Sequence, residues 1–240
     1  MGTGLLGAMV PYYVQSNKLQ MRANNHPPGL VGTCTHYLGR YREFDTALSM
    51  AIVPNESVKQ YYMGVDVANN FNSMVENLLA NEPWKWLWIL GDDHVFTNDL
   101  WVNLYERNVD IVVPLCLHRD GFQPVLSYGE DKGFERIPNA WDEIKGKTGL
   151  MKWTGTCGNA GMVIRRNVFE KLEFPPFKAG RFSPRFSSSD LYFSYAAQKA
   201  GFDVYVDLDN PIGHIEHMAI WPSRSEDGKW HAEIRQATAK

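Results

Sequence analysis

A chain of 240 residues that is 44% hydrophobic and 13% aromatic can bury a full core as one large domain. A charged fraction of 21% and a net charge of -3 give no overall electrostatic footprint for nucleic acid, so a phosphate-rich polymer would need a localised groove. Three cysteines, Cys34, Cys116 and Cys157, are odd in number and widely spaced, with neither a CxxC pair nor a metal-ligand rhythm, which points to a reducing, cytoplasmic setting.

Residues 1–29 are expected to form an N-terminal arm or loop that ends in the turn-forming NNHPPG. Its apolar stretch, Gly2 to Val14, lacks the basic flank of a signal peptide and contains Pro11, and no apolar run is long enough for a transmembrane segment. The domain is expected over 30–220, with a C-terminal tail over 221–240. LVGTCT, Leu30 to Thr35, predicts a first strand, and Glu43 to Ile52 a helix stopped near Pro54. Val58 to Met63 predicts a second strand. Val67, Phe71, Met74, Val75, Leu78 and Leu79 then fall at helical spacing, until Asn81 to Pro83 break the helix.

The segment Trp86 to Phe96, WLWILGDDHVF, organises the rest. Its apolar run does not alternate, which predicts a strand buried on both faces, and it ends in Asp92, Asp93 and His94. In open α/β sheets the carboxyl edge of such strands is where ligands bind. A turn-forming or helix-capping cluster uses the same residues, and composition leaves both readings open. Thr97 or Asn98 can cap a helix carrying Leu100, Trp101 and Leu104, and Asp110 to Leu115 predicts a further buried strand. Strand and helix have by then alternated three times, so a parallel sheet with right-handed crossovers is expected.

His118 to Leu150 is loop-rich. After it come Leu150 to Trp153, the turn Gly155 to Gly161, a strand Met162 to Ile164 and a short helix Asn167 to Leu172. The glycine-bearing turn suits either close backbone approach to a ligand or a tight structural turn. Phe174 to Ser189 has only Lys178, Arg181 and Arg185 as charges, and reads either as a lid whose cations meet phosphate or as a solvated loop. Asp190 opens a helix closed by Gly201, as a functional carboxylate or as its N-cap, and Phe202 to Val206 gives a last strand leading to NPIGHIEH.

In order, LGDDHVF, WTGTCGNAGMVIRR, the S-D-L-x-F-x-x-x-A-x-x-x-G helix of Ser189 to Gly201, a short strand and G-H-I (Gly213 to Ile215) resemble GT-A fold glycosyltransferases, particularly the small family-2-like bacterial and phage forms. The resemblance covers about Leu30 to Ile220. It implies a single-domain α/β fold, a Rossmann-like, mostly parallel sheet flanked by helices. The activity it implies is transfer of a sugar from a nucleotide-diphosphate sugar, UDP- or GDP-linked, to an acceptor hydroxyl, with inversion preferred. A glycan, a metabolite, a protein or a modified nucleobase would all offer that hydroxyl.

Such enzymes hold a divalent metal on an Asp-x-Asp cluster. Aligned on H-V-F, Asp93 is the second aspartate, Asp92 the middle residue, and Gly91 stands where the first aspartate usually lies; an alternative register makes Asp92 and His94 the two ends. The resemblance also implies His214 as a metal ligand and Asp190 as the general base, with Ser189 replacing a frequent glutamate. Carboxylate with imidazole favours Mn²⁺ over Mg²⁺. Donor contacts are implied at Thr35, Asn72, Asp92, Trp153, Gly155 and Arg181. Two other expectations use the same residues: a metal-dependent nucleotide-sugar hydrolase or nucleotidyltransferase, and a non-catalytic sugar-nucleotide or glycan binder.

Overall fold

The computed structural model describes residues 16–35, 40–119, 122–181, 186–216 and 218–235. In chain order, a helix over 16–24 (α1) precedes β1 (Leu30–Thr35), α2 (Arg42–Met50), β2 (Val58–Met63), α3 (Val67–Ala80), β3 (Trp86–Gly91), β4 (His94–Val95), α4 (Leu100–Tyr105) and β5 (Ile111–Pro114). Then come β6 (Leu126–Ser127), α5 (Ala140–Ile144), β7 (Leu150–Trp153), β8 (Thr156–Cys157), β9 (Val163–Arg165), α6 (Arg166–Lys171), β10 (Gly180–Arg181) and β11 (Phe186–Ser187). The last elements are α7 (Ser189–Lys199), β12 (Val204–Asp207), β13 (Gly213–Glu216), β14 (Met218–Arg224) and β15 (Trp230–Arg235). No helix among the described residues is long and apolar enough to cross a membrane.

The central sheet has the order β2-β1-β3-β9-β5-β12-β7. β1 is parallel to β2 and β3, and β5 to β12, whereas β9 runs antiparallel between β3 and β5, and β7 antiparallel on the edge beside β12. The sheet is therefore mixed but mostly parallel, as the fold resemblance implies, with β9 and β7 the two reversed strands. The reversal into β9 passes Gly161, whose φ of 71° is left-handed and whose missing side chain would meet Pro114 Cγ at 2.9 Å.

The unbroken apolar run of β3 is explained by cover on both faces. Leu87 and Ile89 join Met74 and Leu78 of α3 and Phe169 of α6 in one core, while Trp86, Trp88 and Leu90 join Phe44 of α2 and Trp101 of α4 in the other. At roughly 1.5–3 kcal/mol for each fully buried large apolar side chain, the five buried residues Trp86 to Leu90 anchor this strand strongly, and the turn at its carboxyl end starts from that anchor.

The described parts of the two terminal segments, 16–29 and 221–235, hold regular elements that the sequence does not predict. Within the segment expected as an arm or loop, α1 docks through buried Ala23, and Gln20 Nε2 donates to Val53 O at 2.9 Å. The expected boundary at 220 falls inside β14, which pairs with β15 and, through β13, with β4 in a second sheet of order β15-β14-β13-β4. Trp230 of β15 stacks on Trp141 of α5 with ring centroids 6.5 Å apart.

One buried carboxylate fixes the turn between β12 and β13. Asp207 accepts from Arg107 Nε (2.6 Å) and Nη2 (3.0 Å), Asp209 N (2.9 Å), Asn210 N (3.2 Å) and Asn210 Nδ2 (3.0 Å). Every acceptor position is filled, as an ionised group buried away from water requires.

Candidate functional site

The chain leaves β3 at Gly91, turns through Asp92 and Asp93, and re-enters a strand at His94. The two aspartates part company there. Asp92 Oδ2 accepts from Thr35 Oγ1 at 2.6 Å, at the end of neighbouring β1. Asp93 points the other way: its Oδ2 accepts from Arg119 Nη2 and lies 3.2 Å from His214 Nε2, and its Oδ1 is 3.6 Å from His94 Nδ1. Antiparallel pairing of β4 and β13 sets His94 opposite His214, with ring centroids 5.1 Å apart. Cys116, just past the end of β5, completes a group in which one donor atom each of His94, Cys116 and His214 lies within 4.8 Å of the others.

Gly91 stands where a first aspartate of the motif would be, and its neighbours account for it. A Cβ there would lie 2.7 Å from Asp93 Oδ1 and 3.0 Å from His94 Cε1. The glycine makes room for the two side chains that follow it.

Charge is concentrated at this edge. Burial alone would raise the Asp93 carboxyl, but His94, His214 and Arg119 hold it well below the usual carboxylate range. Burial would lower His214, and its contacts with Asp93 and Cys116 reverse that and raise it to about 10. The Cys116 thiol, which burial would push up, is drawn down to about 7 by His214 and His94. Arg119 Nε lies 3.0 Å from the same His214 Nε2 that faces Asp93.

These residues form one wall of a cleft of about 370 Å³, which also meets Cys34, Phe71, His118, Asn159 and Asp190. Asp190 sits in the first turn of α7, where Ser188 Oγ and Leu191 N (2.9 Å) donate to its Oδ1. Burial raises its carboxyl above the ordinary value, which makes it a stronger base than a free carboxylate. Gly158 lies beside this carboxylate, and a Cβ on it would come within 2.6 Å of Val125 Cγ1, so the turn packs tightly at the cleft.

Of the residues singled out in the sequence, Asp92, Asp93, Asp190 and His214 meet at the cleft, and Thr35 reaches it through Asp92. Three others are engaged elsewhere. Asn72 is buried and clamps the backbone of Phe177, donating to its carbonyl at 2.9 Å and accepting from its N–H at 3.0 Å. Trp153 is buried in β7 with its indole N–H on Thr156 O at 3.1 Å, and Gly155 packs so closely that a Cβ would lie 2.1 Å from Ser127 O. Their polar atoms and missing side chain serve packing. Arg181 contributes backbone to β10, and its side chain, like Arg185, lies outside the described residues.

Cys116 and Arg119 were not legible as site residues. The donors come from three separate strand ends, so no spacing along the chain announces them; their common signal is position just beyond a buried strand.

The donor set fits a divalent ion: two imidazoles and a thiol offer ligand atoms within 4.8 Å of one another, and the Asp93 carboxylate lies 3.2 Å from His214 Nε2. Arg119 adds a direct observation, since its guanidinium already places positive charge between Asp93 and His214.

In shape the chain is similar to A197 from STIV, with 17% identity, a TM-score of 0.56, and cover of 87% of this chain and 94% of that one. It is also similar to GalNAc-T7, whose structure holds UDP, GalNAc and Mn²⁺, with 11% identity and a TM-score of 0.53, over 80% of this chain and 44% of that one. No family model and no curated protein matches the sequence. The likenesses show the fold, an α/β domain similar to that of GT-A glycosyltransferases.

Proposed function

We propose that this chain is a metal-dependent glycosyltransferase that moves a sugar from a nucleotide-diphosphate sugar to an acceptor hydroxyl. The observation that carries this reading is that one cleft holds an ionised Asp93 beside His214 and, apart from them, a carboxylate of raised basicity, Asp190.

Each residue then has a task. Asp92, oriented by Thr35, faces the donor's nucleoside. Asp93 and His214 would hold a divalent ion, which would supply positive charge to the departing diphosphate. Asp190, held by Ser188 and Leu191, takes the acceptor's hydroxyl proton as that oxygen bonds to the anomeric carbon and the bond to the diphosphate breaks. Attack opposite the leaving group inverts the anomer, the outcome we favour from the family-2 resemblance. The UDP in the GalNAc-T7 structure makes UDP-sugars the first donors to test, with GDP-sugars beside them.

The test is calorimetric binding of a panel of nucleotide diphosphates and their sugars, with Mn²⁺ and with chelator, on the wild type, Asp93→Ala and His214→Ala. Metal-dependent binding of one nucleotide, lost in both variants, supports the donor site. Binding of none, or binding indifferent to metal and to both substitutions, removes it. Free sugar released without an acceptor would identify a hydrolase instead, and NMR of the first-formed anomer decides the stereochemistry.

A further inference from the structure

We propose that His94, Cys116 and His214 form a site for a zinc-class ion, with the Cys116 thiolate as a direct ligand. The inference rests on the reading of this edge as a metal-assisted donor site and changes the metal: carboxylate plus imidazole favours Mn²⁺, and a thiolate in the set shifts the preference to a softer ion.

Three observations carry it. First, the described residues contain one group of three or more histidine, cysteine and acidic side chains close enough to share an ion, and this is it. Its donor atoms lie within 4.8 Å of one another, and bonds of about 2.0–2.3 Å to zinc require about 3.5 Å between ligands, so side-chain rotation alone closes the difference.

Second, the backbone holds Nδ1 of both histidines: His214 Nδ1 lies 3.0 Å from Leu117 O, and His94 Nδ1 lies 3.2 Å from both O and N of Gly91. A carbonyl on Nδ1, as at His214, is how metal-ligating imidazoles are commonly oriented with Nε2 toward the ion.

Third, Cys116 is 3% exposed, and the hydrogen bond drawn from its thiol, to Leu117 O at 3.7 Å, is long. A cysteine serving only as a small apolar filler needs no imidazoles around it. Three protein ligands leave a fourth position for Asp93 or an exchangeable oxygen, the pattern of a catalytic rather than a closed structural site.

The experiment is titration of the reduced, chelator-treated full chain with Co²⁺ alone, followed by absorption spectroscopy. A thiolate-to-cobalt charge-transfer band should appear, be bleached by equimolar Zn²⁺ and survive roughly a hundredfold excess of Mn²⁺. Cys116→Ser should lose the band, and so should Cys116→Ala, which keeps an apolar filler at the position; Cys157→Ala, altered away from the group, should keep it. Cobalt binding with an oxygen-nitrogen spectrum, unchanged in both Cys116 variants, overturns the thiolate ligand and leaves the metal-assisted reading intact. No cobalt binding, with nucleotide-sugar binding that still requires Mn²⁺, overturns the zinc-class site alone. No ion bound and no nucleotide bound overturns both.

Discussion

Asp93 and Asp207 stand at the same edge of the sheet, one just past β3 and one at the end of β12, and each meets an arginine. Asp207 is fully buried, and its five donors include two backbone N–H groups that have nowhere else to go. Asp93 is 24% exposed on the side-chain scale, is held by Arg119 and His214, and opens on a cleft. A carboxylate saturated by fixed groups shapes the chain. One held by side chains able to rearrange is available to a ligand.

Substitution should separate the two. Asp207→Ala leaves the turn donors unpaired and Arg107 with Asp209 alone, and should cost about 3–5 kcal/mol in urea unfolding. Asp93→Ala should cost less, about 1–2 kcal/mol, because half-exposed Arg119 can turn to solvent. Equal losses would erase the contrast.

Asp190 sharpens it from the other wall. Asp190→Asn should lower transfer roughly 10²–10⁴-fold while donor binding persists; full activity would remove Asp190 as the base. Its folded pKa is raised, so the wild type loses stability as pH rises through that value. The variant should therefore melt higher at neutral pH, with the gain vanishing below the ordinary carboxylate pKa, and wild-type activity should rise with pH on a limb above that range.

Smaller effects follow. Gly91→Asp restores the motif on paper, yet should weaken metal binding by about 1–2 kcal/mol, because the new side chain displaces Asp93 and His94; tighter binding by calorimetry would refute the steric account. Asn72→Ala should cost about 1–2 kcal/mol by releasing Phe177 while leaving donor affinity unchanged. A large loss of affinity would return Asn72 to the site.

β3 and β5 were legible because two-sided burial writes itself as an unbroken apolar run, and β1 and the mostly exposed edge strand β2 also match their predicted bounds. The second sheet was not read, although β14 opens with the apolar Met218 to Trp221 and β15 alternates apolar and polar from Trp230 to Arg235. In the site, Asp93, Asp190 and His214 could be picked out by motif order, because each begins or ends an element. Asn72 and Trp153, expected as donor contacts, have their polar side-chain atoms on backbone of the chain itself. An internal clamp and a ligand contact demand the same side-chain chemistry, and their difference lies in which backbone happens to be opposite.

Opposition across β4 and β13 has a topological side. His94 and His214 are 120 positions apart, and their pairing encloses β5, β7, β9 and β12 in a single chain loop. A slip of one residue would send either imidazole to the far face of the ribbon. An ion held by both would then be a removable crosslink. In the loop-closure picture, a tie across that span withdraws about 4–5 kcal/mol of freedom from the unfolded chain, so chelation would loosen the protein's two halves as reduction loosens a disulfide.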